Sequence, residues 1–217
     1  MSGQKTVKKP LPLTALGEVK SLLEKVECTD FLKRTVVFSL VSGQVRMTRW
    51  RFSLEALEKK LLHTLDLKAE KALFYSLRPL MDKRLLEVVP VQENLCLPLT
   101  IKTVLERDLS GFKNLTVLLD IAEIFQDVGA YETARDKLKQ NDIQVAVDMN
   151  ATELDRLDAD LLMADFLRVP AGCVWEGKTP LIWKRCLDAN YLIAGKEKGV
   201  VLFEGPAIDA FCQALEV

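Results

Sequence analysis

From residue 93 onward the chain alternates short apolar segments with amphipathic ones, and this alternation restricts it to a parallel sheet covered by helices. Read as strands, the apolar segments are ENLCLPLT (93–100), LTVLLDIAE (115–123), IQVAVDM (143–149), LLMADFLRV (161–169), PLIWKRC (180–186) and GVVLFEG (199–205). Between and after them lie helical patterns, IKTVLERDL, GAYETARDKLKQ, ANYLIAGKEK and AIDAFCQALE, with a short polar helix or loop at 151–160. Upstream, TVVFSLV (35–41) and QVRMTRWRF (44–52) flank Ser42-Gly43, the signature of a hairpin. That makes about eight strands, which favours a closed (β/α) barrel of the triosephosphate isomerase kind over an open sheet.

Three helices complete the expectation. LTALGEVKSLLEKV (13–26) places apolar residues at helical spacing, as a lid on the barrel or a partner-binding element. Ser53 is a candidate cap for LEALEKKLLHT, and a further helix is expected at about 68–89, kinked at Pro79. One connection is too short for a crossover helix: only PAGCVWEGKT separates Val169 from Pro180. One outer helix is therefore expected to be missing or reduced to a turn, exposing apolar barrel surface that a rearranged loop, the N-terminal helix or a partner must cover. Trp175 and Trp183 lie in and beside this segment as candidate partner anchors, with core packing the equal alternative for Trp183. The expected division is a flexible basic lead-in plus helix (1–30) and a barrel domain (31–217).

Composition narrows the function classes. A net charge of −1 and pI near 6.0 argue against a chain that coats nucleic acid. No apolar run reaches the roughly 18 residues of a membrane span, and MSGQKTVKKPLPL lacks the apolar core of a secretory signal. The five cysteines are widely spaced with no C-x-x-C, the pattern of reduced thiols in a cytoplasmic protein. His63 is the only histidine and sits at a helix end, which leaves little for Ser-His-Asp or Cys-His catalysis.

Candidate chemistry lies at strand ends. Asp120 with Glu123, and Asp148, close two adjacent strands; in a parallel unit those ends meet at the C-terminal rim, where barrel active sites are built. Such carboxylates hold a cation, pair with arginines or cap helices. A literal Glu55-Ala56-Leu57 follows Ser53 on a helix, where its glutamate faces solvent or caps.

The ordered segments VRMTRW (45–50), LPLT (97–100), DIAE (120–123), DMNA (148–151), DFLRVP (165–170), KRCLDA (184–189) and LFEG (202–205) together resemble the EAL-domain family, the bacterial cyclic-di-GMP phosphodiesterases, over about residues 34–212. The closing GKEKGVVLFEGP is similar to a divergent alphaproteobacterial group. The resemblance implies an EAL-type barrel and a site where two divalent ions activate water for attack on a phosphodiester. It also implies that most of that site is lost. The family glutamate falls at Val45, or at Arg49 in an alternative alignment; the asparagine falls at Pro98, the second aspartate at Met149, the lysine at Arg168 and a further glutamate near Arg185. Asp120, Glu123 and Asp148 remain as remnant metal positions, too few for hard ions that need several oxygen ligands. Arg49, in the pair Arg49-Trp50, matches an arginine that meets ligand phosphate; Arg168 and Arg185 add positive charge at the rim. The resemblance thus implies no catalysis, no metal and no cofactor. It points to a regulatory domain that binds another protein or itself; the alternatives are a non-hydrolytic receptor for cyclic di-GMP or another nucleotide and, third, an enzyme of altered specificity.

Overall fold

The structure, a computed structural model, describes residues 13–61, 71–90 and 94–215. Eight strands form a closed barrel in chain order: β1 Leu32–Ser39, β2 Gln44–Phe52, β3 Leu95–Pro98, β4 Thr116–Asp120, β5 Gln144–Asp148, β6 Phe166–Pro170, β7 Leu181–Lys184 and β8 Leu202–Glu204. β2 to β8 run parallel, whereas β1 is antiparallel to both β2 and β8. The hairpin turn therefore lies at the N-terminal end of the barrel, and the start of β1 reaches the C-terminal rim.

Around it lie α1 Leu13–Lys25, α2 Leu54–Leu61, α3 Lys71–Val88, α4 Ile101–Glu106, α5 Ile121–Gln126, α6 Val128–Gln140, α7 Ala151–Arg156, α8 Asn190–Glu197 and α9 Pro206–Leu215. Their starts follow local capping chemistry: Thr100, Asp120, Asp127 and Asn150 each accept a hydrogen bond from a backbone N–H one turn on, and Asn150 with Glu153 forms a reciprocal box. Ser53 Oγ likewise accepts from Ala56 N. Capping corrects two expected strands. LTVLLDIAE stops at Asp120, because the Asp120 carboxylate takes the Ala122 N–H and starts α5. LLMADFLRV begins only at Phe166, because residues 159–162 form a 3-10 turn that ends at Met163 in the left-handed conformation (φ 52°). α3 continues through Pro79. His63 lies outside the described residues.

Two apolar clusters follow from period-two alternation. Inside the barrel, Val37, Met47, Cys96, Leu118, Ala146, Phe166, Ile182 and Leu202 form a plug, one residue from each strand. The residues between them point outward into the larger core beneath the helices, among them Leu97, Val117, Val147, Leu167, Trp183 and Phe203. α1 packs on α3 through the buried Val19 and Leu23 rather than over the barrel mouth.

As the short connection requires, no helix follows β6: residues 171–180 form an irregular loop. That loop covers the strands. Ala171, Cys173 and Trp175 pack against the core, Trp183 is completely buried and donates its indole N–H to Cys173 O (2.8 Å), and Asp160 accepts from Lys178 N, Thr179 N and the Thr179 hydroxyl. Trp183 is thus core and not a partner anchor. On the next strand pair, Gly195 of α8 lies so close to Phe203 that a Cβ there would meet its ring at 2.4 Å.

Candidate functional site

Two residues above each plug residue, toward the C-terminal rim, the same strands place a second layer: Thr35, Arg49, Pro98, Asp120, Asp148, Arg168, Lys184 and Glu204. This layer is the floor of the barrel mouth. Asp120, Asp148 and Arg168 are register neighbours on three successive strands.

Five charged groups of the floor, three cations and two carboxylates, form one connected network. Arg168 grips Glu204 with two parallel bonds, Nε to Oε2 (2.8 Å) and Nη2 to Oε1 (2.9 Å), and reaches Asp148 Oδ2 with Nη1 (3.0 Å). Arg49 Nη2 donates to the same Glu204 Oε1, and Lys184 Nζ donates to Asp148 and to Met149 O. Arg49, Arg168, Lys184 and Glu204 are all buried. Burial alone would raise the Glu204 pKa; the hydrogen bonds and charge of Arg168, then the charge of Arg49, overcome it and hold the carboxyl at about 2. Gly205 fixes this geometry from behind. Its φ is 150°, and a Cβ there would lie 2.4 Å from Cys186 N, the group that donates to Glu204 O.

On the β3–β4 side the carboxylates serve backbone. Asp82 of α3 is buried and accepts through Oδ2 from Thr100 N (2.7 Å), the Thr100 hydroxyl (2.8 Å) and the Thr103 hydroxyl (2.9 Å), holding the start of α4. Glu123 accepts from Ile101 N (3.1 Å). Arg78 stands between them, 3.9 Å from Asp82 Oδ1 and 3.8 Å from Glu123 Oε1, and stacks over Phe74. Burial is the main cause that pushes both carboxyls above their ordinary values; Arg78 opposes it.

The sequence-based candidates therefore divide. Asp120 caps α5 and Glu123 anchors α4, so neither converges with Asp148 on a common point. Val45 lies at the opposite end of the barrel, paired with Phe38 near the hairpin turn and partly exposed; Arg49 holds the rim position in β2, as in the alternative alignment. Arg185 is exposed, with φ 65°, just beyond β7; the inward residue is Lys184. Met149 faces the outer core. Arg49 and Arg168 do meet, but over Glu204. Lys184, Glu204 and Asp82 were missed. For the first two the alternation carried the signal, since Ile182 and Leu202 are plug residues and the rim positions lie two residues on. Glu55 is exposed and pairs with Lys59 (2.9 Å).

Two cavities open on this floor. One, of about 170 Å³, lies beneath α3 and is lined by Phe52, Phe74, Met81, Leu85, Pro98 and Leu118, with Arg49, Arg51, Arg78, Asp82 and Asp148 at its polar edge. The second, of about 420 Å³, lies over Thr35, Arg49, Asp148, Arg168, Lys184 and Glu204, with Lys33, Arg51, Arg185 and Asp209 on its walls.

Solved structures share this architecture. The EAL domain of Xanthomonas citri FimX, solved in complex with c-diGMP, aligns with a TM-score of 0.62 at 11% identity over 88% of this chain and 92% of that one. Vibrio cholerae LapD, an S helix-GGDEF-EAL chain bound to c-di-GMP, aligns with a TM-score of 0.62 at 12% identity over 93% of this chain; the match spans 58% of the LapD chain. This chain has the EAL-type barrel fold. Klebsiella pneumoniae BlrP1, in its calcium/cy-diGMP complex, aligns at 0.52 and 12% identity over 81% of this chain and 54% of that one. No family model and no curated protein matches the sequence.

A pair of hard cations in an EAL-type mouth needs clustered, uncommitted oxygen donors. The donor set here does not fit. Asp148 and Glu204 are each bonded by two cationic side chains, Asp120 and Glu123 are turned to backbone N–H groups, and Arg49, Lys184 and Arg168 stand in the space between. Among the described residues no group of three or more His, Cys, Asp or Glu gathers as a metal site.

Proposed function

We propose that this chain is a catalytically inactive EAL-type domain that works by binding, as a regulatory protein-interaction module in bacterial signalling. The observation that carries the reading is the Arg49–Glu204–Arg168–Asp148–Lys184 network, which puts three cations into the floor where two-metal chemistry requires anionic ligands. The proposed domain works in the cytoplasm without a metal or other cofactor, and its partner is another protein or a second copy. Exposed Val174 in the loop that replaces the missing helix, and exposed Leu187 and Ile193 after β7, support such a contact. The proposed source is alphaproteobacterial, on the similarity of GKEKGVVLFEGP.

A second reading, a non-hydrolytic cyclic-di-GMP receptor, draws support from the surplus of cations on the mouth walls and from the c-di-GMP complexes of FimX and LapD. Incubation with cyclic di-GMP and magnesium, calcium or manganese, followed by product analysis, tests the shared premise. The expected result is an unchanged dinucleotide, and a linear product overturns it. Calorimetry with cyclic di-GMP separates the two readings: heat of binding selects the receptor, and its absence selects the interaction module. Light scattering that finds a monomer at high concentration removes the self-association version.

A further inference from the structure

The cavity over the floor is lined by six cations, Lys33, Arg49, Arg51, Arg168, Lys184 and Arg185, and three carboxylates, in a chain whose net charge is −1. All three carboxylates are committed. Glu204 and Asp148 belong to the ion-pair network, and Asp209 accepts from Val36 N (3.0 Å). No carboxylate lies within 4 Å of Lys33, Arg51 or Arg185 among the described residues.

Arg51 is the informative one. Its guanidinium is half-buried, donates only to Phe52 O (3.3 Å), and stands beside Arg49. Burial, then the charge of Arg49, disfavours its charged form, and the charge of Glu204, already gripped by Arg49 and Arg168, opposes them only in part. A half-buried cation held against another cation, with no carboxylate in ion-pair contact among the described residues, is an arrangement that a bound anion relieves. Arg51 also lines the apolar cavity under α3, so an anion on it lies at the edge of a slot walled by Phe52, Phe74 and Pro98. The other anion position of the floor, between Arg49 and Arg168, is filled by Glu204.

On the reading that the mouth binds without turnover, we propose that it takes one phosphate monoester carrying a flat, weakly polar group, the chemistry of a mononucleotide. The phosphate sits on Arg51 and Lys33, and the flat group enters the slot under α3. Because Glu204 fills the two-arginine position, one phosphate is accommodated, and no metal ion takes part.

Calorimetry in EDTA with AMP, GMP and inorganic phosphate tests this on the full chain. Either nucleotide is expected to bind at least about tenfold more tightly than phosphate, and more weakly as salt rises. Arg51→Gln is expected to weaken the nucleotides by about tenfold or more, the loss of a charge-assisted pair. Lys33→Gln, on an exposed part of β1, gives a smaller loss and serves as the second variant if Arg51→Gln fails to fold. No heat with AMP or GMP at ten millimolar overturns the proposal. So does equal affinity in the variants, or phosphate binding as tightly as the nucleotides. Hydrolysis of cyclic di-GMP in the separate metal-containing assay strikes the non-catalytic reading instead, and the two failures are told apart by the EDTA.

Discussion

The two sides of the barrel mouth use the same residue type for opposite ends. Where β5 to β8 and β2 meet, Asp148 and Glu204 are bonded by arginine and lysine side chains, and the bonds run from strand to strand across the floor. Where α3 meets β3 and β4, Asp82, Glu123 and Asp120 bond backbone N–H groups and hydroxyls, and the bonds hold helix starts. On the first side the carboxylates are counter-ions for buried charge, while on the second they are caps. A carboxylate at a strand end therefore carries no function by itself; its partner decides what it does, and on neither side is it left free for a metal.

If the first side is a single ion-paired unit, removing its central anion has the largest effect. Glu204→Ala leaves Arg49 and Arg168 buried without their shared partner, and stability is expected to fall by about 3–5 kcal/mol. Urea denaturation measures it. A loss below 1 kcal/mol would mean that the arginines relax into solvent and the floor is not a unit.

Acid separates the two sides by sign. The Glu204 carboxyl is held at about 2, below its ordinary 4.5, so its contribution is complete above pH 4.5 and is lost as pH falls toward 2; it amounts to roughly 3 kcal/mol. Asp82 and Glu123 are raised, so their linkage runs the other way: it favours the fold at low pH and is lost as pH rises through their folded values. Urea midpoints from pH 5 to 2 are expected to fall steeply in wild type and less so in Glu204→Gln, while Asp82→Asn retains the fall. Parallel wild-type and Glu204→Gln curves would remove Glu204 as the source.

The capping side is expected to respond more weakly. Asp82→Ala leaves the Thr100 N–H without its acceptor and removes two hydroxyl bonds at the start of α4, and costs about 2 kcal/mol. The loss is local, so hydrogen exchange should speed up in residues 100–106 while the β5–β8 floor stays protected. Uniform acceleration across the barrel would show that the two sides are one cooperative unit.

The same contrast explains what the sequence disclosed. Strand–helix alternation, the missing helix after β6 and the rim positions of Asp120, Asp148 and Arg168 were legible, because period two puts a strand's inward residues at fixed spacing. Arg185 was read as the floor position of β7, one residue out of phase; it reaches only the cavity wall, and the period of two gives the floor to the residue before it. That slip hid Lys184, the residue that does enter the floor. Glu204 was obscured for another reason: LFEG matched a motif as a string, whereas its role depends on Arg49 and Arg168, 155 and 36 residues away. Asp82 has no local signature, since a helical aspartate caps α4 only once α3 has packed beside β3.

The smallest expected effect concerns the one place where the letters Glu-Ala-Leu occur. Glu55 lies in the first turn of α2 and pairs with Lys59, one helical turn on. Both side chains are about two-thirds exposed or more, so water screens the pair and competes for each partner. Its location in the first turn adds a small favourable interaction with the helix dipole. Glu55→Gln is therefore expected to lower stability by less than about 0.5 kcal/mol and to leave the proposed nucleotide binding at the mouth unchanged. A loss of binding on that substitution would move the site from the floor to α2, and with it the whole contrast between the two sides of the rim.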